Sequence, residues 1–275
     1  MSRIAEAFAG GKAFIPFITA GYPDLETTRQ VVRAAQENGA DLIEIGIPFS
    51  DPTAEGPVIQ TANVRALEKG ITTDMVLDFI RQIREDGSVT VPMVFMTYAN
   101  VVYSYHEGGD GDRDGQDGSD RGRYGFCRKC AEVGIDGLIL PDIPFEEKDQ
   151  FEDACRCSGL DLISLIAPTS EDRIQTIAKE AKGFIYIVSS LGVTGVRSDI
   201  TTDIAAITAK IRKVTDVPCA VGFGISTPQQ AARMAAQSDG AIVGSAIIRI
   251  IDQYREQAAP HVGEYVRSMK EALKK

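Results

Sequence analysis

Short apolar runs recur along the chain with amphipathic stretches between them. The runs are FIPFITA (14–20), LIEIGIP (42–48), VPMVFMTY (91–98), GLILPD (137–142), DLISLIAP (161–168), FIYIVS (184–189), PCAVGFG (218–224) and GAIVGSA (240–246). Each is too short for a buried helix, and near-continuous apolarity fits a strand covered on both faces of a parallel sheet. The intervening segments carry the helical period. They include DLETTRQVVRAAQENG (24–39), with Val31, Val32, Ala34 and Ala35 apolar and a glycine stop. TTDMVLDFIRQIRE (72–85), SEDRIQTIAKEA (170–181), DIAAITAKIRKV (203–214) and TPQQAARMAAQ (227–237) follow the same pattern. Several open on Ser, Thr or Asp, whose side-chain oxygen can accept from the free N–H groups of a first turn. Strand and helix alternating eight times predict an α/β fold of the (β/α)8 TIM-barrel type, a single domain over residues 1–275. An extra N-terminal helix, SRIAEAF (2–8), is placed to plug the N-terminal face of the barrel, and a C-terminal helix (264–274) follows the eighth strand. An open doubly wound sheet is the alternative architecture, but no G-x-G-x-x-G follows the first strand.

One segment breaks the alternation. GGDGDRDGQDGSDRGR (108–123) contains no apolar residue and cannot offset its own ordering entropy, so a mobile acidic Gly/Asp-rich insertion is expected after the third strand. Its alternating aspartates resemble a calcium loop, yet the glutamate that closes an EF-hand is missing, which favours a solvated insertion.

Charge narrows the function. The chain of 275 residues carries a formal net charge of -10, which argues against nucleic acid and against an anionic membrane surface. An anionic substrate remains open, because backbone dipoles can hold it on an acidic protein. No apolar run approaches the roughly 20 residues of a membrane span, and the N-terminus has no signal-like apolar stretch, so the expected location is cytoplasmic. Cysteines 127, 130, 155, 157 and 219 fit reduced thiols. Cys155 and Cys157 lie roughly 200° apart on a helix and cannot share one ion, so no metal site is expected. With only His106 and His261 present, acid–base chemistry falls to carboxylates.

The run LIEIGI carries a carboxylate in its middle. Strand alternation puts Ile43, Ile45 and Ile47 on one face and Leu42, Glu44 and Gly46 on the other, which then faces the barrel axis. Glu44 points inward near the C-terminal end, where barrel active sites lie, and poor hydration there raises its pKa toward the range useful for proton transfer. Eleven residues on, Glu55 stands in the proline-stiffened loop PFSDPTAEGP, from which it can face Glu44 across a substrate. Asp51 shares that loop and competes for the role. Glycine-bearing turns follow the last strands: Gly192 to Gly195, Gly222 and Gly224, and Gly244 with Ser245. Glycines and a helix N-terminus let backbone N–H groups approach an anion, which predicts phosphate binding at the barrel mouth.

On the segments PFITAGYPD (16–24), LIEIGIPFSDPTAEGPVIQ (42–60), MTYANVV (96–102), GLILPDIPFEE (137–147), YIVSSLGVTG (186–195), VGFGIS (221–226) and GAIVGSAII (240–248), the chain resembles the α subunit family of tryptophan synthase. The resemblance spans nearly the whole chain except 108–123. It implies retro-aldol cleavage of indole-3-glycerol phosphate to indole and glyceraldehyde 3-phosphate without a cofactor. By the same match Glu44 is the general acid/base and Glu55 the carboxylate on the indole N–H. Phe17, Tyr186, Thr194 and Phe223 would lie around substrate, and Gly195, Gly224, Gly244 and Ser245 would hold phosphate. The implied partner is a β subunit, in an α2β2 heterotetramer. The sequence departs from the family pattern in two places. TAEGP carries Glu55 where the family has Asp, and the 108–123 insertion lies on the face that meets the β subunit. Two other readings remain: a different phosphate-binding barrel, such as an isomerase, and a regulatory subunit that acts only by activating the β chain.

Overall fold

The structure, a computed structural model, describes residues 3–106, 118–170, 173–189, 203–222 and 224–274. Helix α1 (Arg3–Glu6) leads into β1 (Ala13–Thr19), α2 (Leu25–Glu37), β2 (Ile43–Gly46), α3 (Pro57–Glu68), α4 (Thr73–Glu85) and β3 (Met93–Met96). The middle of the chain holds α5 (Ala99–Tyr103), α6 (Gly118–Val133), β4 (Gly137–Ile139), α7 (Asp149–Ser158), β5 (Asp161–Leu162), β6 (Ser164–Ile166) and α8 (Ile174–Glu180). Then come β7 (Ile185–Val188), α9 (Ile204–Ile211), β8 (Cys219–Gly222), α10 (Pro228–Ala235), β9 (Gly240–Val243), α11 (Ser245–Tyr254) and α12 (Ala258–Leu273).

Every strand pairs in parallel, in the order β5-β4-β3-β2-β1-β9-β8-β7-β6. The two ends of that order flank Ile163, inside the single apolar run 161–168. That run was expected as one strand and is two: β5 pairs with β4, Ile163 N donates to Leu138 O at 2.8 Å, and β6 pairs with β7. The chain changes hydrogen-bond partner mid-run, and this nearly closes the barrel. The TIM-barrel expectation holds, with nine hydrogen-bonded segments among the described residues built from eight runs.

The helix starts follow the local chemistry read from the sequence. Asp24 accepts from Thr27 N at 2.7 Å, Asp203 from Ala206 N at 2.9 Å, and Thr227 forms a capping box with Gln230. Helix α3 was not expected. It starts on Pro57 without a side-chain cap, because a proline tolerates the first turn where its missing N–H is not needed. Helix α12 begins at Ala258, before the expected 264, and takes Pro260 into its first turn for the same reason. Of the segment expected as an insertion, residues 118–123 belong to α6, and 108–117 lie outside the described residues.

The lower end of the barrel is sealed by α1. Ile4 is fully buried, and its Cδ1 stands 2.9 Å from where a Cβ on Gly137 would lie. Arg3 pairs with Asp136 at 3.0 Å, which also takes Arg84 at 3.1 Å and the Met93 N–H at 2.8 Å. At the other end the register fixes what faces the axis. Phe17 lies opposite Glu44 and Thr19 opposite Gly46. A Cβ on Gly46 would fall 2.6 Å from the Phe17 ring, and one on Gly222 would collide with the Tyr186 ring. These glycines leave the room that two aromatic rings occupy inside the barrel.

Candidate active site

Glu44 is buried on β2, and neither of its carboxylate oxygens has a hydrogen-bond partner. A buried polar atom left unpaired costs roughly 1–3 kcal/mol, so this carboxyl is held neutral instead of charged. Burial pushes its pKa up to about 8, and the nearby charge of Glu55 adds to the rise. Tyr186 on β7 is buried as well. Burial lifts its phenol well above the ordinary value, and the charge of Glu44 lifts it further, which brings the two side chains into one electrostatic neighbourhood. Phe17 is buried against the Gly46 and Gly244 positions on either side of its own strand.

Glu55 lies in the loop between β2 and α3, and despite that position it is buried. Asn63 Nδ2 donates to Glu55 Oε2, and the Tyr98 hydroxyl bonds to the same carboxylate. Burial pushes Glu55 up to about 7, opposed by these two hydrogen bonds. Tyr98 is fixed in turn. Its oxygen accepts from Ala54 N at 3.3 Å, and its ring stacks on Phe49 with centroids 4.9 Å apart. Asp51, the rival carboxylate of this loop, is exposed and accepts from the Ser50 hydroxyl.

Two members of this constellation were missed in the sequence. Asn63 had a signal: Ile59, Ala62, Asn63 and Ala66 form the buried stripe of α3, and an amide on an apolar stripe needs a partner. Tyr98 had none beyond its place at a strand end.

Two strands along the sheet from β2, β9 runs directly into α11. Gly244 precedes the helix, no side chain caps it, and Ser245 is its buried first residue. A helix N-terminus of this kind presents free N–H groups and a favourable dipole to an anion. Gly224, after β8, has φ +76, a conformation open to glycine and strained for other residues. Thr194, Gly195 and Phe223 lie outside the described residues.

Paired buried carboxylates and a helix N-terminus, at the C-terminal mouth of a parallel barrel, make the layout of a (β/α)8-barrel enzyme. The family model described as tryptophan synthase alpha chain matches residues 5–274. The tryptophan synthase alpha chain of Lactiplantibacillus plantarum is 45% identical over 274 residues, covering 99% of this chain and 97% of that one. The one from Lacticaseibacillus casei is 42% identical over 273 residues, covering 99% and 96%. Among solved structures, a Mycobacterium tuberculosis tryptophan synthase superposes with a TM-score of 0.84 at 30% identity, covering 100% of this chain and 99% of that one. The tryptophan synthase subunit alpha of Legionella pneumophila gives 0.82 at 33% identity, with coverage of 100% and 99%. The chain belongs to the tryptophan synthase alpha chain family, the lyase subunit of tryptophan biosynthesis that cleaves indole-3-glycerol phosphate.

Proposed function

We propose that this chain splits indole-3-glycerol phosphate with Glu44 as its acid–base group and Glu55 as the carboxylate that receives the indole N–H. The neutral Glu44 carboxyl gives its proton to ring carbon C3. The bond between C3 and the glycerol carbon then breaks, and its electron pair returns to the ring. The hydroxyl on the departing carbon becomes the aldehyde and gives its proton to the Glu44 carboxylate, which is thereby restored. The protonated indole ring is its own electron sink, so the step balances without a coenzyme. Glu55 offsets positive charge on the ring nitrogen, and Asn63 and Tyr98 hold it in place for that task. Phe17, Tyr186, Thr194 and Phe223 surround the ring and chain, and Gly195, Gly224, Gly244 and Ser245 hold the phosphate.

The single observation that carries this reading is Glu44, a carboxyl buried without any partner beside a second buried carboxylate. The extra methylene of Glu55, relative to the aspartate of the family pattern, is compatible with the role. The longer side chain is drawn in and pinned by its two hydrogen bonds. The whole chain acts as one domain in the cytoplasm, a setting supported by the free cysteines. Its partner is a β subunit in an α2β2 assembly, a reading supported by family membership. Among the described residues no helix is long and apolar enough to cross a membrane. Incubation with indole-3-glycerol phosphate and excess chelator, with and without a β subunit, tests the reading. Indole and glyceraldehyde 3-phosphate in equal amounts are expected, and no indole under either condition would refute it.

A further inference from the structure

We propose that Thr19 is a substrate-binding residue that hydrogen-bonds a hydroxyl of the glycerol chain, an inference that rests on the reading above. Thr19 is the last residue of β1 and is fully buried, yet its Oγ1 has no hydrogen-bond partner. Thr28, another buried threonine, is satisfied. Thr28 Oγ1 donates to Asp24 O at 2.8 Å and accepts from Gly21 N at 3.1 Å. A valine at position 19 would fill the same volume without an orphan hydroxyl, so the hydroxyl is costly unless a ligand completes it.

Its position selects the ligand. Thr19 shares its face of the strand with Phe17, two residues back, and lies opposite Gly46, so it points to the axis at the upper rim of the barrel. Strand β1 sits between β2 and β9. Glu44, with its own unpartnered oxygens, is diagonal to Thr19 on β2. The Gly244–Ser245 helix entrance follows β9 on the other side. A substrate with its ring at Glu44 and its phosphate at Gly244 must carry its glycerol chain past β1. The hydroxyls of that chain are the polar groups left for Thr19 to meet. Thr97 Oγ1 is also buried and unpartnered, but alternation from Met96, which lies opposite Gly46, turns it away from the axis.

The test compares wild type, Thr19→Val and Thr19→Ser on two molecules. One is indole-3-glycerol phosphate. The other is indole-3-propanol phosphate, which keeps the ring and phosphate but lacks the chain hydroxyls. Thr19→Val is expected to lower kcat/KM about tenfold or more, with affinity for the propanol phosphate within twofold of wild type and no loss of Tm. Thr19→Ser, which keeps the hydroxyl, should recover most of kcat/KM. If Thr19→Val fails to accumulate, Thr19→Ala is expected to give the same split. A valine variant that cleaves substrate as well as wild type overturns the inference and leaves the reading above intact. Equal loss of affinity for both molecules overturns it too, since that is a packing effect. A wild type that cleaves nothing overturns the reading itself.

Discussion

Glu44 and Glu55 are kept in different protonation states by their surroundings, and that difference is measurable. Glu44 has burial and a like charge against it and no donor in its favour, whereas Glu55 has burial opposed by Asn63 and Tyr98. With Glu55 near 7 and Glu44 near 8, the proposed mechanism requires an ionised Glu55 with a neutral Glu44. The rate should therefore fall on the acid side as Glu55 takes up a proton and on the alkaline side as Glu44 loses one. Replacing Asn63 with Ala removes a donor that holds Glu55 down. The acid limb of the kcat/KM profile should then move to higher pH, with a loss of roughly tenfold at pH 6 and about twofold at pH 8. An unmoved acid limb would contradict the role given to Asn63. The same shift has a stability consequence. Glu44 titrates near 8 when folded and near 4.5 in an ordinary setting, so between these values the folded state binds more protons than the unfolded one. The contribution of Glu44 to wild-type stability therefore falls as pH rises through that window. Glu44→Gln has no proton to lose there. Its Tm should exceed that of wild type by about 3 °C or more at pH 8.5, with the gap closing near pH 4.5. A gap independent of pH would contradict the buried, unpaired state of this carboxyl.

At the scale of elements, the strands set the walls of the site and leave out side chains where rings must fit. Gly222→Ala is expected to force the Tyr186 ring aside, since the added carbon would collide with it. Overpacking of this kind costs about 1–3 kcal/mol, so Tm should drop by several degrees and kcat/KM by about tenfold. An alanine variant with wild-type values would mean that the ring does not rest there. The strands and the capped helices were legible in the sequence because each depends on local chemistry: apolar runs for the sheet, and Asp24, Thr72, Asp203 and Thr227 for the helix starts. The inward direction of Glu44 followed from alternation. The break of the fifth run at Ile163 was not legible, since it depends on which neighbour each half finds when the sheet curves round. Helix α3 was hidden by its proline start. The pinning of Glu55 by Tyr98 joins residues from different βα loops, and no local pattern records such a pairing.

For the whole molecule, the barrel separates stability from chemistry by its two ends. Ile4 and the Arg3–Asp136–Arg84 cluster close the lower face, away from Glu44 and the α11 entrance. Ile4→Ala should cost about 2–5 kcal/mol and lower Tm by roughly 5–15 °C, with kcat/KM at 20 °C within twofold of wild type. A large loss of activity in a folded Ile4→Ala protein would contradict that division. The upper face carries the site, and on the proposed reading the β subunit acts there by completing it. Adding the β subunit should therefore raise kcat for indole release by about tenfold or more. The most direct test of the whole account is the turnover of indole-3-glycerol phosphate by Glu44→Gln, read beside its affinity for indole-3-propanol phosphate. A fall in kcat of about 10³-fold or more with analogue affinity within threefold of wild type is predicted. Turnover within tenfold of wild type would contradict Glu44 as the group that moves the proton.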